Sequence, residues 1–269
     1  MLEKSQVFVS WSGGKDCCLA CYRAMKSGLD VRYLASIITK RTGRLWPHLL
    51  SPETLEMQAK AMGIPLVQWW TNVADYNAEY KKMLLGFKEK GITGGVFGDV
   101  NVGNGQGSEH RRWIESVCHP AGITPHLPLW DEGRESLLRE LIDSGFEIII
   151  IAADDKLLGR SWLGQKMDAG MLSEFKVRHQ MSPTGDVGYY HTLVVDGPIF
   201  KKRLQILKTV DVYAPRAIRN GLKHDGVWYL DILECGLGTK DSGVPAVGIK
   251  PETEVSERTN RTACFDTIQ

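Results

Sequence analysis

The chain reads as an α/β protein, a doubly wound and mostly parallel sheet followed by a second, smaller α+β unit. Three observations predict this. Short β-branched runs alternate with amphipathic stretches up to about residue 153. The stretches between them are long enough to be helical crossovers, which parallel neighbours require and which are right-handed. A glycine-rich turn stands between the first run and the first helical stretch, and open sheets of this kind bind ligands at the carboxyl edge of their strands.

Gln6–Ser10 is the first strand, Lys15–Ser27 a helix and Arg32–Ile38 the next strand, a βαβ opening. Ser51-Pro52-Glu53-Thr54 has the form of an N-cap with a first-turn proline and starts a helix to Met62, which Gly63 ends. Pro65–Trp69 is a strand and Asp75–Lys90 a helix. Gly94–Asp99 reads as a buried strand ending in a small residue and a carboxylate, and a helix over Glu109–Cys118 returns the chain to Ile123. Helix Arg134–Ser144 and strand Phe146–Ala152 complete the series as a fifth or sixth strand of the parallel sheet. Beyond it come one helical pattern, Asp168–Arg178, and strands at Tyr190–Val195 and Val227–Leu233. The expected division is therefore 1–153, 154–235, and a poorly ordered tail over 236–269, rich in Gly, Thr, Glu and Pro.

With 43% hydrophobic and 24% charged residues among 269, the chain can bury a sizeable core, which excludes disorder and a disulfide miniprotein. The 33 basic and 32 acidic residues give a net charge of +1 and no global attraction to polyanions. A local surplus exists between Met171 and His224, nine Lys/Arg against four acids, which a solvated basic face explains most simply. The longest apolar run, Phe146–Ala153, is broken by Glu147 and is far short of the roughly 20 residues that span a bilayer. With no signal-like apolar region at Met1–Lys4, the expectation is a cytoplasmic protein with no membrane partner. Cys17, Cys18, Cys21, Cys118, Cys235 and Cys264 form neither a disulfide framework nor two paired metal half-sites.

Chemistry concentrates in Ser10-Trp11-Ser12-Gly13-Gly14-Lys15-Asp16. A turn between strand and helix offers unpaired backbone N–H groups and the positive end of a helix dipole to an anion. Gly13 and Gly14 let the backbone wrap a phosphate, Lys15 adds a charge and Ser12 a hydroxyl. The spacing matches neither the Walker loop nor the Gly-x-Gly-x-x-Gly turn.

This loop resembles the Ser-Gly-Gly-Lys-Asp-Ser pyrophosphate loop of the N-type ATP pyrophosphatases, with Cys17 where that family has serine. Trp46-Pro47-His48, Glu56–Leu66, Val96–Val100, His110–Cys118, Pro128-Leu129-Trp130 and Leu158-Gly159-Arg160 narrow the likeness. So do Ser182–Thr192 and Asp196–Phe200. Together they resemble the diphthine–ammonia ligase family over roughly residues 6–206. That family's fold is the Rossmann-like sheet already expected. The resemblance implies ATP and Mg²⁺ as cofactors, release of AMP and pyrophosphate on adenylating a carboxylate, attack by ammonia, and a translation elongation factor as partner.

The same resemblance assigns candidate roles. Lys15, Asp99 and His191 would be catalytic; Ser10, Ser12, Gly13, Gly14, Lys15, Asp16, Cys17, His48, Gly98 and Asp99 would hold the nucleotide; Arg111, Asp186, Tyr189 and His191 would meet the substrate. Asp16 either holds the metal or serves the helix dipole, His48 either binds ligand or is a loop residue, and Asp99 sits where open-sheet ligands bind or caps its loop. His191, with an unperturbed pKa near 6.5, could take a proton from ammonia. Asp186 and Tyr189 stand where the family has glutamates, so another small-molecule carboxylate is an alternative acceptor. Two rival readings keep the loop: a tRNA-thiolating pyrophosphatase using Cys18 and Cys21, less favoured by the neutral charge, and a nucleotide sensor without turnover. The oligomeric state is left open, a homodimer included.

Overall fold

The computed structural model describes residues 4–101, 106–178, 190–215 and 226–240. Its first sheet contains β1 (Gln6–Ser10), β2 (Asp30–Thr39), β3 (Arg44–Leu45), β4 (Leu66–Thr71), β5 (Gly94–Val96) and β6 (Thr124–His126). β1 pairs in parallel with β2 and β5, β2 with β4, and β5 with β6; only the short β3 runs antiparallel, against β2. Helices α1 (Lys15–Lys26), α2 (Pro52–Met62), α3 (Tyr76–Glu89) and α4 (Gln106–Cys118) connect them, and α5 (Arg134–Asp143) leads out of β6 to the second sheet.

Strand alternation assigns the faces, because successive side chains point to opposite sides of a sheet. Val7 and Val9 of β1, with Leu34 and Ile38 of β2, pack against α1, α2 and α5. Phe8 points the other way, into a cluster built from α3 and α4, where it stacks on Phe87 at 4.7 Å and meets Phe97 edge-on at 6.0 Å. Both faces are thus covered, as the parallel pattern predicts. Helix α2 starts as its sequence implies: the Ser51 hydroxyl accepts from Thr54 N at 3.2 Å and Pro52 stands in the first turn.

The second sheet is antiparallel throughout, in the order β8 (Tyr190–Asp196), β7 (Glu147–Asp154), β10 (Val227–Gly238), β9 (Arg203–Ala214). Three expectations are corrected here. The strand expected to complete the parallel sheet is β7, which pairs with β8 and β10 instead. A run buried from Ile148 to Asp154 carries no alternation to tell which sheet it joins. Strand β9 went unread, and β10 continues to Gly238, with Gly236 opposite Gln205, so the expected tail begins inside a strand. The expected boundary at 153 likewise falls within β7. Helix α6 (Ala169–Arg178) follows β7. Asp186 and Tyr189 lie outside the described residues, as does 241–269.

The second sheet packs onto α1 and α2, sharing one apolar core with the parallel sheet's inner face. One ion pair also ties the two sheets: Arg44 of β3 reaches Asp231 of β10 at 2.8 Å, and the Asp231 side chain has no exposed surface. Removing one member of such a pair strands a buried charge. Arg44→Met should therefore lower the unfolding free energy by about 3–5 kcal/mol, and adding Asp231→Leu should restore most of it; urea denaturation of the single and double variants checks both.

Candidate functional site

From β1 the chain winds outward to β2 and β4, then crosses back to β5 and β6 on the other side. The switch point lies between β1 and β5, and a crevice opens outside the carboxyl ends of adjacent strands at such a reversal. The loop Ser10–Asp16 leaves β1 there, and Phe97-Gly98-Asp99 leaves β5 beside it. The two segments touch: a Cβ on Gly98 would lie 2.7 Å from Cys17 N and 2.8 Å from the Asp16 carbonyl carbon. Only glycine lets the end of β5 come this close to the first turn of α1.

A cavity of about 210 Å³ opens at this point, lined by Lys15, Asp16, Gly98, Asp99, Val100 and Arg134 with leucines of α5. Lys15 Nζ pairs with Asp16 Oδ2 at 2.8 Å and lies 5.7 Å from the centre of the Tyr190 ring. Burial works against its charge, but Asp16 and Tyr190 outweigh burial and raise its pKa above the ordinary lysine value. Asp99 is bonded to His110 Nδ1 on α4; that hydrogen bond, against the opposing effect of burial, raises the imidazole's pKa, and the ring stacks on Trp113 at 5.4 Å.

The loop is braced from within. Gly14 N donates to Ser12 Oγ at 3.4 Å, the Ser12 hydroxyl donates to Cys17 Sγ at 3.4 Å, and the thiol donates to the Gly14 carbonyl at 3.2 Å. Cys17 thus does structural work where the resembled loop has serine. Burial pushes this thiol's pKa up, yet its hydrogen bonds with Cys18 and Ser12 leave it lowered overall. The loop is also braced from the second sheet, since Val194 N donates to the Gly13 carbonyl at 3.0 Å and Lys15 N to Thr192 Oγ1 at 3.1 Å.

His48 and His191 meet beside this loop, with ring centres 4.6 Å apart. Burial, then the proximity of His191 and the Lys15 charge, hold the His48 pKa well below the usual histidine value, and its buried Nδ1 has no hydrogen-bond partner among the described residues. Burial and Lys15, against a smaller opposing effect of Asp16, bring His191 down to about 4. The ordinary pKa expected of His191 is corrected downward, and the neutral ring expected at cellular pH stays neutral.

Of the residues singled out in the sequence, Lys15, Asp16, Gly98 and Asp99 share the cavity, Ser12 to Cys17 form its loop, and His48 and His191 adjoin it. Ser10 instead hydrogen-bonds Tyr80 on the opposite face of the sheet. Arg111 pairs with Glu115 at 2.9 Å and lies over Trp130 at 5.4 Å, and it does not line the cavity. Arg134 of α5 supplies the cavity's second cation. It was missed, along with His110, Gln58 and Thr192; the last three lie in motifs quoted for their likeness, but none carries a local signal of its role. Cys18 and Cys21 are wholly buried, and burial first of all pushes both thiols up, away from the thiolate form that sulfur chemistry uses. Among the described residues no group of three or more His, Cys, Asp or Glu side chains is placed to hold a metal ion, and no helix is long and apolar enough to cross a membrane.

Comparison with protein families matches residues 5–125 to the diphthamide synthase N-terminal domain and residues 133–221 to the diphthamide synthase C-terminal domain. The chain belongs to the diphthamide synthase family. Among its relatives, the diphthine–ammonia ligase of Rattus norvegicus is 27% identical over 77% of this chain and 86% of its own, and that of Homo sapiens 26% identical over 87% and 93%. As a member of this family the protein is an ATP-dependent ligase. Solved structures give weaker likenesses. A predicted subunit of tRNA methyltransferase from Methanocaldococcus jannaschii matches 72% of this chain and 97% of its own at TM-score 0.41 and 18% identity. The U34-tRNA thiolase NcsA from Methanococcus maripaludis, with its [4Fe-4S] cluster, matches 52% and 57% at 0.35 and 16%. Both are too slight to carry inference.

The depressed imidazoles of this diphthamide synthase family member have a consequence for stability. Unfolded, His191 takes up a proton near pH 6.5; folded, it refuses one until about pH 4. The unfolded state therefore binds more protons in this window, and stability falls as pH drops through it. The stability of His191→Gln relative to wild type should shift in the variant's favour by about 3 kcal/mol between pH 7 and pH 4, measured by urea denaturation at each pH.

Proposed function

We propose that the protein adenylates a substrate carboxylate with ATP and converts the acyl adenylate to an amide with ammonia, acting on diphthine of a translation elongation factor. The observation that carries this reading is the loop at the β1/β5 switch point, with Lys15 at its end and Asp16, Asp99 and Arg134 around one cavity. The names of the relatives, diphthine–ammonia ligases, support the choice of acceptor and of amine.

In the first step a carboxylate oxygen attacks the α-phosphorus, the bond between the α-phosphate and the β,γ-pyrophosphate breaks, and pyrophosphate leaves. Backbone N–H groups of the loop, Lys15 and Arg134 hold the charge that develops on it. The donor set suits Mg²⁺ carried in with the nucleotide, since such ions need only one or two protein carboxylates besides the phosphates. Asp16 and Asp99 would hold it, and the ion would supply charge neutralisation on the phosphate oxygens. In the second step ammonia nitrogen attacks the acyl carbon, the bond to AMP breaks, and one proton leaves the nitrogen.

His191 and His48, neutral at working pH, accept hydrogen bonds from ammonia without competing with Lys15 for anions. His191 at about 4 is by itself a weak base. Phosphate charge arriving nearby raises imidazole basicity and brings it toward the value that proton transfer needs.

Incubating the protein with ATP, Mg²⁺ and ammonium, with and without elongation factor bearing diphthine, tests the reading. AMP and pyrophosphate should appear in equal amounts and depend on the factor, and Lys15→Ala should lower kcat/KM by about 100-fold or more. ADP as the product would overturn the adenylation chemistry; AMP formed without regard to the factor would overturn the acceptor.

A further inference from the structure

Gln58 on α2 has no exposed surface, and its amide makes three hydrogen bonds, two to the loop after β1 and one to β8. Oε1 accepts from Trp11 Nε1 at 2.9 Å, while Nε2 donates to the Gly13 carbonyl at 3.0 Å and to the Val194 carbonyl at 2.7 Å. The partners fix the orientation of the amide, since an indole can only donate and a carbonyl can only accept. No flipped amide satisfies them.

The bond to Gly13 matters most. Gly13 sits at φ +79°, in the left-handed region, and its carbonyl accepts from both Gln58 and Val194 N. In a trans peptide the carbonyl and the following N–H point in opposite directions. Holding the Gly13 carbonyl inward therefore turns the Gly14 N–H outward, to the side where Ser12 Oγ now receives it. A peptide between two glycines meets little steric resistance to flipping, so something else must hold it.

We infer that Gln58 is a positioning residue for the phosphate loop: it locks the Gly13–Gly14 peptide so that the Gly14 N–H faces the pyrophosphate of ATP. The inference rests on the reading of the loop as the nucleotide's anion site. It adds a residue that touches no phosphate yet decides whether the backbone donor is available.

The test uses two variants of the full chain. Gln58→Glu is isosteric, but its ionised carboxylate sets an acceptor against two carbonyl oxygens and releases the peptide. Protonated, it regains one donor, and burial favours the protonated form. Gln58→Met keeps the volume and offers no donor at any pH. Pyrophosphate and Mg-ATP affinities are measured by isothermal titration calorimetry between pH 6 and 8.5, with thermal melts alongside. In Gln58→Glu, pyrophosphate affinity should fall about tenfold or more at pH 8 and recover toward wild type as pH approaches 6, whereas Gln58→Met should stay weak throughout. If both variants melt lower yet bind pyrophosphate as wild type does when folded, with the same pH profile, Gln58 only packs and the inference is overturned. Should Gln58→Glu fail to fold, Gln58→Met decides at pH 8: loss of affinity supports the lock, and wild-type affinity overturns it. A wild-type protein that binds neither ligand overturns the anion-site reading itself, a result seen before any variant is compared.

Discussion

The Gly13 carbonyl is where the molecule's two sheets and its glycine-rich loop are joined. It belongs to the turn after β1, but the groups that bind it come from β8 and α2, elements far away in the chain. Next to it, Thr192 takes the first N–H of α1, so the second sheet reaches the helix terminus as well as the turn. The antiparallel sheet is therefore part of the candidate site rather than an appendage to it. The apolar core that α1 and α2 share with β7, β8 and β10 supplies the packing, and the polar contacts set its register.

Charge in the site is arranged on a similar principle. Two cations and two carboxylates share a small cavity, and each carboxylate holds a partner: Asp16 has Lys15, and Asp99 has His110. Phosphate chemistry needs such a site to exchange partners without building one from nothing. The imidazole pair beside the loop contributes no positive charge of its own at neutral pH, because burial next to a lysine keeps both rings unprotonated. A polyanion arriving there meets cations where they are held and neutral donors or acceptors elsewhere.

Much of this was legible in the residues. Strands Gln6–Ser10 and Gly94–Val96 and the helices that follow them show their periods plainly, and a glycine pair between strand and helix has a direct physical meaning. Legibility ended where the decisive partner is remote. An all-apolar strand such as β7 looks the same in either sheet, and β9 hides because its charged and apolar residues serve a ladder whose partner comes over 10 residues later. Gln58 sits in an ordinary amphipathic helix and Arg134 opens another; nothing within a few residues marks either as facing the loop. Ser10 shows the opposite error, since alternation along β1 turns it to the face of Phe8, away from the loop it adjoins.

The bond between Val194 N and the Gly13 carbonyl also bears on how the protein comes into being. The loop emerges first in synthesis, within the opening strand–helix unit, whereas its brace arrives some 180 residues later. Closing so long a loop is entropically costly and comes late in folding. A nascent or truncated chain that stops short of β8 carries the whole signature Ser-Gly-Gly-Lys-Asp, its internal bonds and Gln58, yet lacks the two bonds by which Val194 and Thr192 brace the turn from the second sheet. The full bracing of the turn is thus completed only once β8 has been made, long after the motif itself is written.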